Sequence, residues 1–219
     1  MTDVARRDAL ALLGALAAIA CGGSHAGPEG AAPPPIARLK VDPVIDLVPA
    51  AGLLWLVEAR PREMLQDRTL RPAVAMIIPE WRFDVFAQRH GGIDLRGAEQ
   101  LVIGAYPQAT LALARVGFDP ARVTAAFGTR VVSVEGRAVE RGGVTRVWGS
   151  VSRGREQVAL LARDAIVFER GQLGPLQAAV YFAQGRLRRS LPVLRAEPLA
   201  AAAALVGTAP LRMFAPGPF

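Results

Sequence analysis

Few side chains in this sequence could carry chemistry. Its 219 residues hold one cysteine, Cys21, and two histidines, His25 and His90. A zinc site needs several converging Cys, His or carboxylate ligands, so one built on Cys and His cannot be assembled. No Gly-Lys-Ser/Thr phosphate loop exists, nor a Gly-x-Gly-x-x-Gly turn after a strand-like run, which removes two common phosphate cradles. Ser150-Val151-Ser152-Arg153-Gly154 is one residue short of the nucleophile-elbow pattern, because Ser150 stands where glycine belongs. Both histidines also precede it, whereas that hydrolase order needs the histidine downstream. His25 falls in a Gly/Pro stretch and reads as solvated. His90 ends a helical pattern before Gly91-Gly92, where an imidazole favours the helix dipole. No catalytic residue, metal or cofactor is therefore expected. Carboxylate pairs for glycosidase-type work would be set only in three dimensions, and the acids lie mostly beside arginines or at turns.

The charge balance invites a polyanion but is diffuse. Lys+Arg total 26 against 19 Asp+Glu, a formal +7 with a sequence pI near 11.0. All but one of those cations (Lys40) are arginine, and asparagine is absent. Such usage fits a GC-biased coding sequence, with arginine standing where lysine often would. The tightest basic cluster, Arg186, Arg188 and Arg189, contains no aromatic residue, and aromatics make up only 6% of the chain. A single-strand stacking platform needs both together, so nucleic acid is not an expected partner. An anionic envelope polymer touching Arg186, Arg188 and Arg189 remains an alternative.

The first 35 residues carry the strongest pattern. Arg6-Arg7 precede an apolar run, Ala9–Ala20, which ends at Cys21. A short charged start, an apolar stretch and small residues before a cut form the layout of a secretory signal. Ala18-Ile19-Ala20-Cys21 resembles the lipobox of bacterial lipoproteins. That resemblance implies diacylglycerol on the Cys21 thiol, cleavage between Ala20 and Cys21, and acylation (palmitate among the chains) of the new amino terminus. It also implies export to the periplasm or cell surface. In that family an Asp after the cysteine favours the inner membrane, so Gly22 leans toward the outer one. Simple secretion after Ala18-Ile19-Ala20, and an uncleaved anchor, stay open beside it. Each buried methylene contributes roughly 0.8 kcal/mol, so one acyl chain holds marginally and several hold persistently. Residues 22–35 are rich in glycine and proline without apolar periodicity and read as a tether.

Beyond the tether, strand-like and helix-like patterns alternate. Leu53–Val57 is a continuous apolar run expected to be a strand buried on both faces. Pro61–Asp67 and Trp81–Arg89 read as helices; Thr69–Pro79 fits either type. Gln100–Ala105 and Thr110–Gly117 read as a hairpin across Tyr106-Pro107-Gln108. Asp119-Pro120 opens a helix as N-cap and N1, with Gly128 expected to end it. Arg130–Glu135 completes a β-α-β-β-α-β order, that of the ferredoxin-like fold. Val144–Val151, Gln157–Ala162 and Ala165–Glu169 read as an antiparallel meander. A helix from Gly174-Pro175 follows, with Leu176, Ala179, Val180, Ala183 and Leu187 on one stripe. The expected organisation is α+β: signal over 1–20, anchor and tether over 21–35, domain over 36–191. An Ala/Pro-rich tail would occupy 192–219, its last strand the start of a truncated second unit. Trp55 and Trp81 are expected in the core, and Trp148 is a candidate for carbohydrate stacking.

Three function classes follow. The favoured one is a lipid-anchored, non-catalytic scaffold or partner-binding domain of the cell envelope. The alternatives are an envelope hydrolase using carboxylates that sequence cannot pair, and an Arg-rich module binding anionic envelope polymers or lipid headgroups.

Overall fold

A single antiparallel sheet organises the domain. The computed structural model describes residues 39–172, 174–187, 192–197 and 199–215. Contacts divide the chain into 1–35 and 36–219, and every described residue belongs to the second unit. The strands are β1 Trp55–Ala59, β2 Gln100–Tyr106, β3 Ala109–Arg115, β4 Ser133–Val139, β5 Thr145–Ser150, β6 Arg155–Leu160, β7 Ala165–Gly171 and β8 Leu211–Phe214. Their order across the sheet is β4-β5-β6-β7-β3-β2-β1-β8, every pair antiparallel. The helices are α1 Pro61–Gln66, α2 Leu70–Ile77, α3 Glu80–Arg89, α4 Pro120–Arg130, α5 Pro175–Ala183 and α6 Leu199–Val206.

The α+β class and the β5-β6-β7 meander are present; the ferredoxin-like pairing is not. That fold would set β1 parallel to β3 and beside β4, yet β1 lies between β2 and β8. A two-residue turn at Pro107-Gln108 joins β2 to β3, and residues 60–99 return β1 antiparallel to β2. The segment after 192 is no separate tail either. β8 pairs with β1 from Leu56↔Phe214 to Ala59↔Leu211, and Val193, Leu199 and Phe214 are buried in the domain core.

Strand alternation sends side chains to two differently covered faces. On one face Leu56, Val102, Leu111, Leu113 and Val167 meet the stripe Leu176, Ala179, Val180 and Ala183 of α5 and the turn Val44–Leu47. Leu187 does not extend that stripe, because α5 ends at Ala183 and Leu187 is exposed. On the opposite face Val147, Val158, Leu160 and Ile166 pack under Val123 and Phe127 of α4. Asp119 caps α4, accepting from the amides of Ala121 and Arg122, and Pro120 takes N1. Gly128 does not stop α4, which runs to Arg130. β1 is shifted two residues from the apolar run and alternates, placing Leu56 and Glu58 inward. Trp55 is half-buried, whereas Trp81 is exposed; Phe83 takes the buried position on α3.

Candidate functional site

α4 covers only part of its sheet face. Beside it lies a cleft of about 670 Å³ whose floor is Leu101, Ile103, Ala112 and Phe168, from β2, β3 and β7. The walls are Phe86 and His90 at the end of α3, Val132 after α4, and Val151 and Ser152 in the β5–β6 connection. Arg89, Arg130, Glu156 and Arg170 also line it. The floor residues are all half-buried, so the opening is bounded largely by carbon that no helix covers.

The chain exit from α3 fixes one wall. The His90 amide makes the closing helical bonds, donating to the carbonyl of Phe86 at 3.0 Å. Gly91 then turns at φ 70°, and a Cβ there would overlap the backbone of Arg122. Only glycine permits both the left-handed turn and that approach of α3 to α4. The His90 ring stacks on Phe86 (centroids 4.0 Å, 13° between planes) and meets Phe168 edge-on at 5.5 Å. Nδ1 lies 2.9 Å from the Phe86 carbonyl, which can only accept, so Nδ1 carries the proton and Nε2 keeps its lone pair in the neutral ring. Burial pushes the imidazole below its ordinary pKa, only partly offset by that carbonyl bond.

Ser152, His90 and Glu156 thus line one cleft, though sequence order had separated them. They do not form a nucleophile relay. Ser152 is exposed on a hairpin turn, Glu156 is engaged by Arg130, and among the described residues no hydrogen bond joins Ser152 to His90. Ser150 pairs instead with Ser133 across β4 and β5, Oγ to Oγ 2.7 Å. Among the described residues no three metal-ligating side chains converge.

Two buried carboxylates escaped sequence reading. Glu58 is 4% exposed and bonds Arg212 and, at 2.8 Å, Gln100. Glu169 is 1% exposed and accepts from Gln157 Nε2 (2.9 Å) and the amides of Gly174 (3.0 Å) and Leu176 (2.7 Å). Burial raises the Glu169 carboxyl above its usual range, against the lowering effect of those donors. Both carboxylates join one element to another: β1 to β8, and β7 to α5.

The other sequence candidates are dispersed. Cys21, Ala20 and His25 lie outside the described residues, as do Arg188 and Arg189. Arg186 is exposed and lies 4.2 Å over the Tyr181 ring, beside a second hollow lined by Trp148, Gln157, Gln177 and Tyr181. Trp148 is no open stacking platform: it is half-buried, a Cβ on Gly136 would overlap its ring, and Arg146 lies 5.2 Å from it. Many guanidiniums are already engaged. Arg96 bonds Glu80, Asp84 and Asp94, while Arg115 bonds Asp42, Glu99 and Asp164.

No family model and no curated protein sequence matches the chain. Among solved structures, a crystal form of TP0453 superposes with a TM-score of 0.46 at 11% identity. The alignment covers 77% of this chain and 61% of TP0453, so this chain spans less than two thirds of that protein.

Proposed function

We propose that the chain is a lipid-anchored protein of the bacterial cell envelope, favouring the outer membrane, whose domain binds a partner without catalysing a reaction. The observation that carries the binding reading is the cleft with its apolar floor of Leu101, Ile103, Ala112 and Phe168, rimmed by a few polar and charged groups among which, in the described residues, no acid–base or nucleophile pair is joined. Concave, largely apolar surfaces with a few polar groups are the usual form of ligand sites. The anchor reading is supported by the lipobox-like Ala18–Cys21 followed by the Gly/Pro tether. The partner class it fits is an apolar ligand or side chain entering between Phe86 and Phe168. The hydrolase alternative has weaker support, because Glu156 is occupied by Arg130 and the buried acids Glu58 and Glu169 serve packing. An anionic polymer is likewise less favoured, since the arginines are dispersed along the chain and eight of them are internally paired.

The test has two arms. Intact mass of the membrane-extracted protein should show an acylated Cys21 as the first residue, and Cys21→Ala should lose both that mass and membrane retention. For the cleft, an apolar fluorescent probe should bind the wild type and bind Ala112→Trp at least about tenfold more weakly, since the indole fills the floor. Unaltered probe affinity in a folded Ala112→Trp would remove the cleft from the account.

A further inference from the structure

A second apolar surface lies on the α1–α3 arm, at the start of α3, the end opposite to the one that walls the cleft. No residue of α2 is buried, although six of its eight residues are apolar (Leu70, Ala73, Val74, Ala75, Met76 and Ile77). Met76 is 81% exposed, Ile77 77%, Ile78 40%, and Trp81 at the start of α3 59%. Single exposed apolar residues are ordinary, but four large ones between positions 76 and 81 need a partner.

The charges around this run are unevenly satisfied. The acids of the arm are engaged: Glu63 with Arg60, Glu80 and Asp84 with Arg96, and Asp67 with the amides of Thr69 and Leu70. Arg68, Arg71 and Arg82 make no ion pair among the described residues, and Arg82 lies 5.3 Å from the Trp81 ring. Exposed aliphatic residues, an interfacial indole and unpaired guanidiniums form the combination that suits the boundary between acyl chains and anionic headgroups. A protein partner of matching shape would need acidic residues opposite the arginines. A bilayer rich in anionic lipid supplies the negative charge and the apolar layer together.

We propose that the α2–α3 corner, Met76 to Trp81, inserts into the interface of an anionic membrane, with Arg68, Arg71 and Arg82 on the headgroups. This contact goes beyond the anchor and does not depend on it; it would orient the domain on the bilayer whether or not Cys21 is acylated.

The test uses the full chain with vesicles of phosphatidylcholine alone or mixed with phosphatidylglycerol, each in plain and brominated form. The signal of Trp81 is isolated by subtracting the emission of Trp81→Phe. In phosphatidylglycerol-containing vesicles it should shift to the blue and be quenched by bromine. Met76→Asp/Ile77→Asp should weaken that quenching at least about tenfold, from the apolar burial lost. Arg71→Glu and Arg82→Glu should each weaken it about fivefold or more, the effect of one cation at an anionic surface (~1 kcal/mol). These side chains are exposed, so the variants should keep the wild-type circular dichroism; Met76→Gln/Ile77→Gln serves as a milder second pair. Unquenched Trp81 in the wild type overturns the proposal, as does quenching indifferent to the 76/77 pairs. A blue shift that appears without lipid and grows with protein concentration would reassign the corner to contact between copies. Failure of the anchor is read separately, as an unacylated mass.

Discussion

Glu169, on the central strand β7, accepts the amide of Leu176 in the first turn of α5 at 2.7 Å, so a sheet carboxylate caps a helix that packs across it. Gly174 and Gln157 donate to the same group, which leaves three donors converging on one nearly inaccessible side chain. The arrangement holds α5 in register over Leu111 and Val167, on the face opposite the cleft.

Glu169→Gln keeps the volume but turns an amide NH2 toward donors. A loss of about 1–3 kcal/mol at neutral pH is expected, the cost of a buried group left without its partner. Faster hydrogen exchange at the Leu176 amide would locate the loss; wild-type protection there would contradict the capping role. The pH sign is opposite to that of a salt-bridged acid. Burial raises the folded pKa, so the stability tied to Glu169 protonation is fully present below its ordinary value of 4.5 and falls as pH rises through the folded value. The Gln variant should lose that dependence.

Glu58 and Arg212 form a largely buried pair that ties β8 to β1. Removing one partner leaves an uncompensated charge, so Arg212→Ala should cost about 3–5 kcal/mol in denaturant melts. The paired replacement Glu58→Met/Arg212→Met should recover most of it, since two apolar side chains can fill the same space. If the double variant is as weak as the single one, the pair acts through shape and not charge.

His90 is held below its ordinary pKa of 6.5, mainly by burial. Its neutral form therefore contributes stability above about pH 6.5, which is lost as pH falls through that value toward the folded pKa. His90→Phe keeps the stack on Phe86 without titrating. The wild type should lose ground to it on acidification, by up to about 1.4 kcal/mol per pH unit within that window. Parallel urea midpoints for both proteins across the range would refute the assignment.

Gly136 leaves no room for a side chain beneath Trp148. Gly136→Ala should destabilise by about 1–3 kcal/mol through overpacking. Near-ultraviolet circular dichroism should report the displaced indole, and an unchanged spectrum with unchanged stability would show that the ring moves freely.

What the sequence determined by itself was local. Asp119-Pro120 marked the start of α4 because capping depends on neighbours two and three residues away. Pro107-Gln108 marked the β2–β3 hairpin, and the 3.6-residue recurrence of Leu176, Ala179, Val180 and Ala183 marked the buried face of α5. Pairing between distant strands was not legible. The same β-α-β-β-α-β order can close as a split βαβ or open as this antiparallel sheet, and the choice rests on packing summed over the whole chain. So β8 joins β1 across some 150 residues, Glu58 becomes internal because Arg212 arrives with that strand, and the cleft opens where α4 stops short. Trp81 shows the same limit: helical spacing placed it on an apolar stripe, but tertiary packing decided which stripe was covered and gave the buried place to Phe83.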